Sequence, residues 1–358
     1  MKQQVNFMLP KLGTNETMPL QMTVGLTYDL KDDYKDAGLD PETIAELDSP
    51  ATIDGLEAAL RQMGFTVVRI GHIKNLTKRL SNGERWDLVF NICEGLHGVA
   101  REAQVPALLE AYQIPCTFSD AAGMALMLDK GLTKLVLQNH DISTAPFAVV
   151  RAQADIDGVS LPFPLFAKPL AEGTGKGISP LSRIETHQQL REVCTTLLQK
   201  FAQPVLVETY LAGREFTVGL LGTGDRTRVI GIMEIAITDT DGLYGYNNKT
   251  DWFDHIQYKL LTLETEPALF KSLCTLSVQA WQALNCRDGG RLDIRCDETG
   301  QPCLMEINPL AGLCPGFSDL VVLAEMAGMS YQALIENIVN ETLHRYNLPQ
   351  PRQRHEAA

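Results

Sequence analysis

The stretch Gly289–Gly316 reads GGRLDIRCDETGQPCLMEINPLAGLCPG, and it resolves into two short strands and the turn between them. In Arg291-Leu292-Asp293-Ile294-Arg295-Cys296, polar and apolar residues alternate, so Arg291, Asp293 and Arg295 share one face of a strand. Asp297-Glu298-Thr299-Gly300 is turn chemistry, with a glycine where the chain bends back. Cys303–Asn308 alternates again and puts Glu306 and Asn308 on one face. Pairing about that turn sets Asp293 opposite Met305 or Glu306. Three oxygen ligands (Asp293, Glu306, Asn308) and the Arg291 guanidinium then converge. Such an oxygen-only set suits a hard cation, Mg²⁺ above all when phosphates complete its shell, with Mn²⁺ as a substitute.

Composition limits what surrounds this hairpin. A chain of 358 residues, 45% hydrophobic and 21% charged, can bury a large core in two or three domains. Its formal net charge of −13 argues against a nucleic-acid partner, which calls for a basic stripe. The eight cysteines show no CxxC and no Cys/His ligand spacing, so they read as small buried hydrophobes in a reducing compartment. No apolar run reaches the ~18 residues that span a bilayer, and the N-terminus lacks a signal-peptide core. The expected location is the cytoplasm, with no membrane partner.

Taken in order, residues 1–21 read as a flexible tail and 22–29 as a first strand. A helix runs from Ser49-Pro50 to Gly64, with Ser at the cap and Pro in the first turn. Strand 65–70, a helix near 73–82, strand Leu88–Asn91, a helix over about 102–113 and the strand-like Ile114–Phe118 follow. This strand–helix alternation predicts an open parallel sheet. Ligands in such sheets sit beyond the carboxyl ends of the strands. The loop after Phe90 occupies that place and makes Glu94 and His97 candidates for the substrate side.

Residues 122–135 read as a helix bent at Asp129-Lys130, and Phe147–Arg151 as a strand. Ala167-Lys168-Pro169 then puts a lysine at the end of an apolar strand, where its ammonium can reach a phosphate. Directly after it, Glu172-Gly173-Thr174-Gly175-Lys176-Gly177 forms a flexible loop whose N–H groups can close over a polyphosphate. It is neither a Walker A loop nor a G-x-G-x-x-G fingerprint. Val205–Leu211 is an apolar strand ending in a polar bend at Glu208-Thr209-Tyr210-Leu211. Such a hinge offers backbone groups to an adenine edge and an acid to ribose hydroxyls. The helices at about 267–284 and 318–346 pack the last domain, and 349–358 is a disordered tail.

Arg291-Leu292-Asp293 followed by Glu306-Ile307-Asn308-Pro309-Leu310-Ala311-Gly312 resembles the metal-binding end of an ATP-grasp ligase of the D-alanine–D-alanine ligase-like branch. The resemblance covers roughly residues 22–345. It implies a three-domain α/β ATP-grasp fold, an N-terminal parallel domain (22–121) with two α+β domains (122–212 and 213–348) sandwiching ATP. Leu128-Asp129-Lys130 matches the family's second-domain lysine, and Lys168 with Glu172-Gly173-Thr174-Gly175 matches its phosphate element. Glu208-Thr209-Tyr210-Leu211 matches the adenine hinge and Glu215 the ribose acid. The metal ligands fall on Asp293, Glu306 and Asn308. Arg291 and the Gly312 amide are left for the acyl intermediate, and a lid lysine falls on Lys249. The implied activity is ATP-dependent ligation of a carboxylate to an amine through an acyl phosphate, with ATP and Mg²⁺. Amino acids or small peptides are the expected substrates, and homodimers are common in the family.

Three departures bear on the substrate. The family's first-domain segment that grips the first D-alanine is not recognisable, and an ungapped comparison puts Leu47 there, flanked by Glu46 and Asp48. Thr250 replaces the lid tyrosine. Ser318, the candidate for the second carboxylate, stands one position late. The pattern predicts an intact nucleotide half and an altered amino-acid half, with D-alanine one alternative among amino-acid or small-peptide substrates. The alternatives are a phosphotransferase on the same fold with no amine acceptor, and a nucleotide-binding module without turnover.

Overall fold

The computed structural model describes residues 21–35, 38–39, 42–237 and 256–351. In chain order they hold β1 (Thr23–Tyr28), α1 (Lys31–Lys35), α2 (Pro50–Gln62), β2 (Thr66–Arg69), α3 (Ile73–Ser81), β3 (Leu88–Ile92), α4 (Gln104–Ala111), α5 (Ala121–Leu128), α6 (Lys130–Asn139) and β4 (Phe147–Val150). There follow β5 (Leu165–Pro169), β6 (Arg183–Ile184), α7 (His187–Phe201), β7 (Val205–Thr209), β8 (Glu215–Leu221), β9 (Arg228–Ile237), β10 (Ile256–Leu260), α8 (Pro267–Ala283), β11 (Gly289–Cys296), β12 (Pro302–Asn308), α9 (Asp319–Met326) and α10 (Tyr331–Arg345).

The first sheet is parallel, in the order β2-β1-β3, as the strand–helix alternation predicts. Helix α2 starts where Ser49 accepts a hydrogen bond from the Thr52 N–H and Pro50 supplies a pre-set φ. It buries Ile53, Leu56, Ala59 and Leu60 along one stripe. The expected strand at Ile114–Phe118 is reduced to one bridge, Val89 to Cys116. Phe118 takes a left-handed φ of 67°, which turns the chain out of the sheet.

The second sheet, β4-β7-β5-β6, and the third, β10-β9-β8-β11-β12, are antiparallel. Between the first two sheets the helical stretch breaks at Asp129, whose backbone is extended and whose Oδ1 accepts from the Leu132 N–H at 2.9 Å. One side chain thus ends α5 and caps α6.

In the β11–β12 hairpin, Arg291 faces Asn308 and Asp293 faces Glu306. The register then shifts, and Ile294 pairs with Leu304, leaving Met305 as a bulged residue. The bulge breaks strict alternation, so the adjacent Met305 and Glu306 both line the same cleft.

The C-terminal helices serve two neighbours, a wider role than packing the last domain alone. Leu334, Ile335, Ile338 and Val339 of α10 join one apolar cluster with α2 and β1–β3. Gln332 Nε2 donates to the Ala59 carbonyl at 3.3 Å. At Gly55 a Cβ would meet Pro315 at 2.6 Å, so a glycine lets α2 approach that closely. Asp288, fully buried, accepts from the Phe118 N–H, the Thr342 hydroxyl and Arg345 Nη2, each at 2.7 Å. That single carboxylate ties the end of the parallel unit to α10 and to the start of β11, and its three donors repay its burial.

Candidate active site

A cleft opens between the second and third sheets. Its free space of about 1010 Å³, solvent at the mouth included, is ample for a small-molecule ligand. Lys168 from β5, Thr174 and Gly175 from the glycine loop, and Glu208 to Leu211 from the end of β7 line one wall. Glu215 and Thr217 of β8, Arg291, Asp293 and Arg295 of β11, and Met305, Glu306 and Asn308 of β12 line the other.

Asp293 is held by four donor contacts: Thr217 Oγ1 at 2.9 Å, Asn308 Nδ2 at 2.9 Å, and Arg291 Nε and Nη2 at 3.2 and 3.1 Å. Burial alone would raise its pKa, but the Arg291 charge and these bonds hold it below the usual carboxylate range. Glu306, opposite it, pairs with Lys130 Nζ at 3.0 Å. No group of three or more His, Cys, Asp or Glu able to hold a metal stands among the described residues. Two carboxylates and an amide do stand together, Asp293 ionised, and they fit a hard cation whose remaining ligands are phosphate and water oxygens.

At the β5–β7 wall lies a buried triad. Glu208 takes Lys134 Nζ at 2.5 Å on one oxygen and Lys168 Nζ at 3.2 Å on the other. Burial pushes the Glu208 pKa up, yet the two lysines bring it down to about 2. Desolvation lowers the Lys134 pKa in spite of that partner. Lys168 ends raised, because Glu208 and Glu306 together outweigh its burial. Glu215 is raised by burial to about 7, with Arg295 at 3.5 Å opposing. Arg295 and Arg183 lie over the two-sided ring of Tyr210, at 5.4 and 4.8 Å from its centroid.

The remaining sequence candidates lie around this cleft. Lys130 Nζ donates to the Glu172 carbonyl at 2.5 Å and thereby joins the glycine loop to Glu306. The Glu172 carboxylate turns from the cleft to Gln203 Nε2 at 2.7 Å and Lys176 at 3.2 Å. The Gly173 N–H donates to Glu46 Oε1 at 2.5 Å. A Cβ on Gly312 would meet Ser318 Oγ at 2.8 Å, and that hydroxyl accepts from the Cys314 N–H. Glu94 is half-buried at the carboxyl end of β3, whereas His97 is exposed. Lys249 and Thr250 lie outside the described residues.

Lys134, Thr217 and Arg101 escaped sequence reasoning, and Arg295 and Glu46 were placed by it without a role. Lys134 follows Lys130 by one helical turn, so the i,i+4 spacing carried a signal. Arg295 shares the alternating face of Arg291 and Asp293, the same kind of signal. Glu46 and Arg101 carried none, because their partners lie across the chain. All eight cysteines are free, six of them buried and Cys274 and Cys314 partly exposed.

Two antiparallel sheets closing on a cleft with a carboxylate–amide hairpin, a strand-borne lysine and a glycine loop, behind a parallel α/β unit, define an ATP-grasp ligase. Residues 136–340 match the family model described as D-ala D-ala ligase C-terminus, and the chain belongs to that family. It is 33% identical over 261 residues to a D-alanine–D-alanine ligase of Cupriavidus pinatubonensis (strain JMP 134 / LMG 1197), covering 71% of this chain and 75% of the relative. It is 32% identical over 302 residues to the uncharacterized protein y4sG of Sinorhizobium fredii (strain NBRC 101917 / NGR234), covering 82% and 88%. Among solved structures, a D-alanine–D-alanine ligase from Bacillus anthracis complexed with ATP superposes with a TM-score of 0.68 at 20% identity, over 91% of this chain and 99% of that one. The VanG D-Ala:D-Ser ligase from Enterococcus faecalis superposes at 0.69 and 17% identity, over 90% and 100%. The chain is an ATP-dependent ligase. No helix among the described residues is long and apolar enough to cross a membrane.

Proposed function

We propose that this chain joins the carboxylate of an amino acid or small peptide to an amine through an acyl phosphate, with Mg²⁺ at Asp293, Glu306 and Asn308. The observation that carries the reading is the shared cleft: nucleotide-type residues on β5 and β7 face the hairpin set Arg291, Asp293, Glu306 and Asn308. A carboxylate and an amine do not condense in water without activation. ATP activates the acid by transfer of its γ-phosphoryl group, and the amine then displaces phosphate through a tetrahedral intermediate. When bound, the cation neutralises the β- and γ-phosphates. Lys168 and Lys130 add positive charge on the phosphate side. Arg291 and the Gly312 amide stabilise the developing oxyanion, at about 3–4 kcal/mol for a well-placed donor. Thr174 and Gly175 keep water from the reacting phosphoryl group. The hinge Glu208-Thr209-Tyr210-Leu211 receives the adenine edge and Glu215 the ribose.

The ammonium end of a substrate belongs on the parallel-sheet side. Glu94 has no hydrogen bond or ion pair among the described residues, and burial, with the charges of Glu102, Glu46 and Asp48, raises its pKa well above the usual range. Glu102 is raised to about 7 by burial, with Glu46 and Glu306 adding to the rise and Arg101 and Lys130 opposing it. Two acids that resist losing their protons gain from an incoming cation. Ser318 lies by Gly312, where a second substrate's carboxylate would arrive.

The test is ADP release by the purified protein with Mg²⁺ and ATP against single D- and L-amino acids, their pairs and short dipeptides, with mass spectrometry of products. The reading predicts an amide product in equal amount to ADP for at least one pair. A stable phosphorylated acid with no amide would point to a phosphotransferase and contradict it.

A further inference from the structure

The glycine loop looks from its sequence like a phosphate cradle with its own lysine, Gly175-Lys176-Gly177, but the Gly173 N–H and the Lys176 ammonium are already engaged by the parallel-sheet unit. Glu46 accepts from the Gly173 N–H at 2.5 Å, from Lys176 Nζ at 3.2 Å and from Arg101 Nη2 at 3.1 Å. Lys176 Nζ also reaches the Thr43 carbonyl and the Glu172 carboxylate, both at 3.2 Å. Arg101 Nη1 donates to the Ala171 carbonyl at 2.7 Å. The side chains of Glu46, Lys176 and Arg101 are 7, 7 and 9% exposed. Burial of this depth makes removal of one partner costly, since the others are left uncompensated.

We infer that Glu46, Arg101 and Lys176 form a positioning latch, in which a carboxylate of the parallel-sheet unit occupies the anion seat of the glycine loop and holds the loop over the cleft before nucleotide binds. The inference rests on the proposed role of the loop above ATP. It takes Lys176 out of the set of phosphate ligands and leaves that work to Lys168 and Lys130, together with Thr174 and Gly175, which do line the cleft. It also makes loop closure depend on the unit that carries Glu94.

Hydrogen–deuterium exchange of the full chain without nucleotide tests the latch by itself. The loop amides with bonds to follow are Lys176 N–H to the Gly173 carbonyl at 3.0 Å and Ile178 N–H to the Gly175 carbonyl at 3.1 Å. Arg101→Met and Lys176→Met are expected to speed exchange there by about tenfold or more, with β5 and β7 unchanged, as for a local opening. Arg101→Lys retains most of the protection. Lys200→Met, which removes the exposed pair with Glu42 between the same two units, leaves it intact. Unchanged loop exchange in Lys176→Met overturns the latch. So does faster exchange spread evenly over the whole chain in every variant, Arg101→Lys included. Kinetics give a second readout: Lys176→Met lowers kcat with a KM for ATP within about threefold of the parent, whereas Lys168→Met raises that KM by about tenfold or more. An equal rise in KM for both lysine variants would place Lys176 on the phosphates and sink the proposal. If the parent protein releases no ADP with any acceptor, the ligase reading fails while the exchange result stands on its own.

Discussion

On the β7–β12 side of the cleft each acid has a counter-charge at hand: Asp293 has Arg291, Glu306 has Lys130, Glu208 has Lys134 and Lys168, and Glu215 has Arg295. On the parallel-sheet side, Arg101 and Lys176 are taken up by Glu46 and Glu172. Glu94 and Glu102 are left with raised pKa values and no hydrogen bond or ion pair among the described residues. On the proposed reading, a wall that balances its own charge suits a ligand that brings its own counter-ion, as a nucleotide–Mg²⁺ complex does. A wall with surplus acid is built for a cation. The two sides of the cleft thus differ in charge balance as well as in sheet type.

Breaking the balanced wall has the largest expected effect. Asp293→Asn should lower turnover by about 10²–10³-fold or more, with circular dichroism and thermal melting close to the parent. Retained activity would remove Asp293 from the cation site. Glu208→Gln leaves Lys134 and Lys168 close together without their shared anion, and is expected to destabilise the fold by about 3–5 kcal/mol. Its pH dependence sharpens the point. A carboxylate held at about 2 in the folded chain contributes stability that is full above its unfolded pKa of about 4.5 and is lost as pH falls toward 2. The gap in unfolding free energy between parent and Glu208→Gln should therefore close in denaturant titrations between pH 5 and pH 2.

The acid-rich wall gives smaller effects of a different kind. Glu94→Gln should raise KM for the amine-bearing substrate by about 10–100-fold while KM for ATP stays put. Equal changes in both constants would place Glu94 in a structural role. Asp48→Asn should stabilise. The Asp48 pKa is raised to about 8, first by burial and then by Asp29, so its ionisation opposes folding. That opposition is absent below the unfolded pKa of about 4, grows as pH rises and is complete above pH 8. Linkage between those two values bounds the gain at pH 7 at about 4 kcal/mol, visible as a higher Tm that returns to the parent value at pH 4.

What was legible in the sequence follows the same division. The hairpin announced itself because alternation over Arg291–Cys296 and Cys303–Asn308 is a local signal, and of the two partners it left open for Asp293, Met305 and Glu306, the ladder takes Glu306. Helix α2 was marked by Ser49-Pro50, and the parallel sheet by its apolar strands. The bulge at Met305 was open as an alternative only, since nothing in Cys303–Asn308 says which residue the ladder omits. The Ile114–Phe118 strand failed because Phe118 turns left-handed to meet Asp288, 170 residues on. Glu46, Arg101 and Lys176 were illegible for a like reason: each contact joins segments 55 to 133 residues apart, and no periodicity encodes such a meeting. The glycine loop was visible, but what fills it came from elsewhere in the chain.

The most direct measurement is the fate of oxygen. With a carboxylate substrate labelled with ¹⁸O, Mg²⁺, ATP and the matching amine, acyl-phosphate ligation transfers one labelled oxygen from each acid to the phosphate released with ADP, alongside one amide. The account predicts that transfer at one label per turnover. Amide formation with unlabelled phosphate, or labelled acyl phosphate that accumulates and never meets an amine, would contradict it.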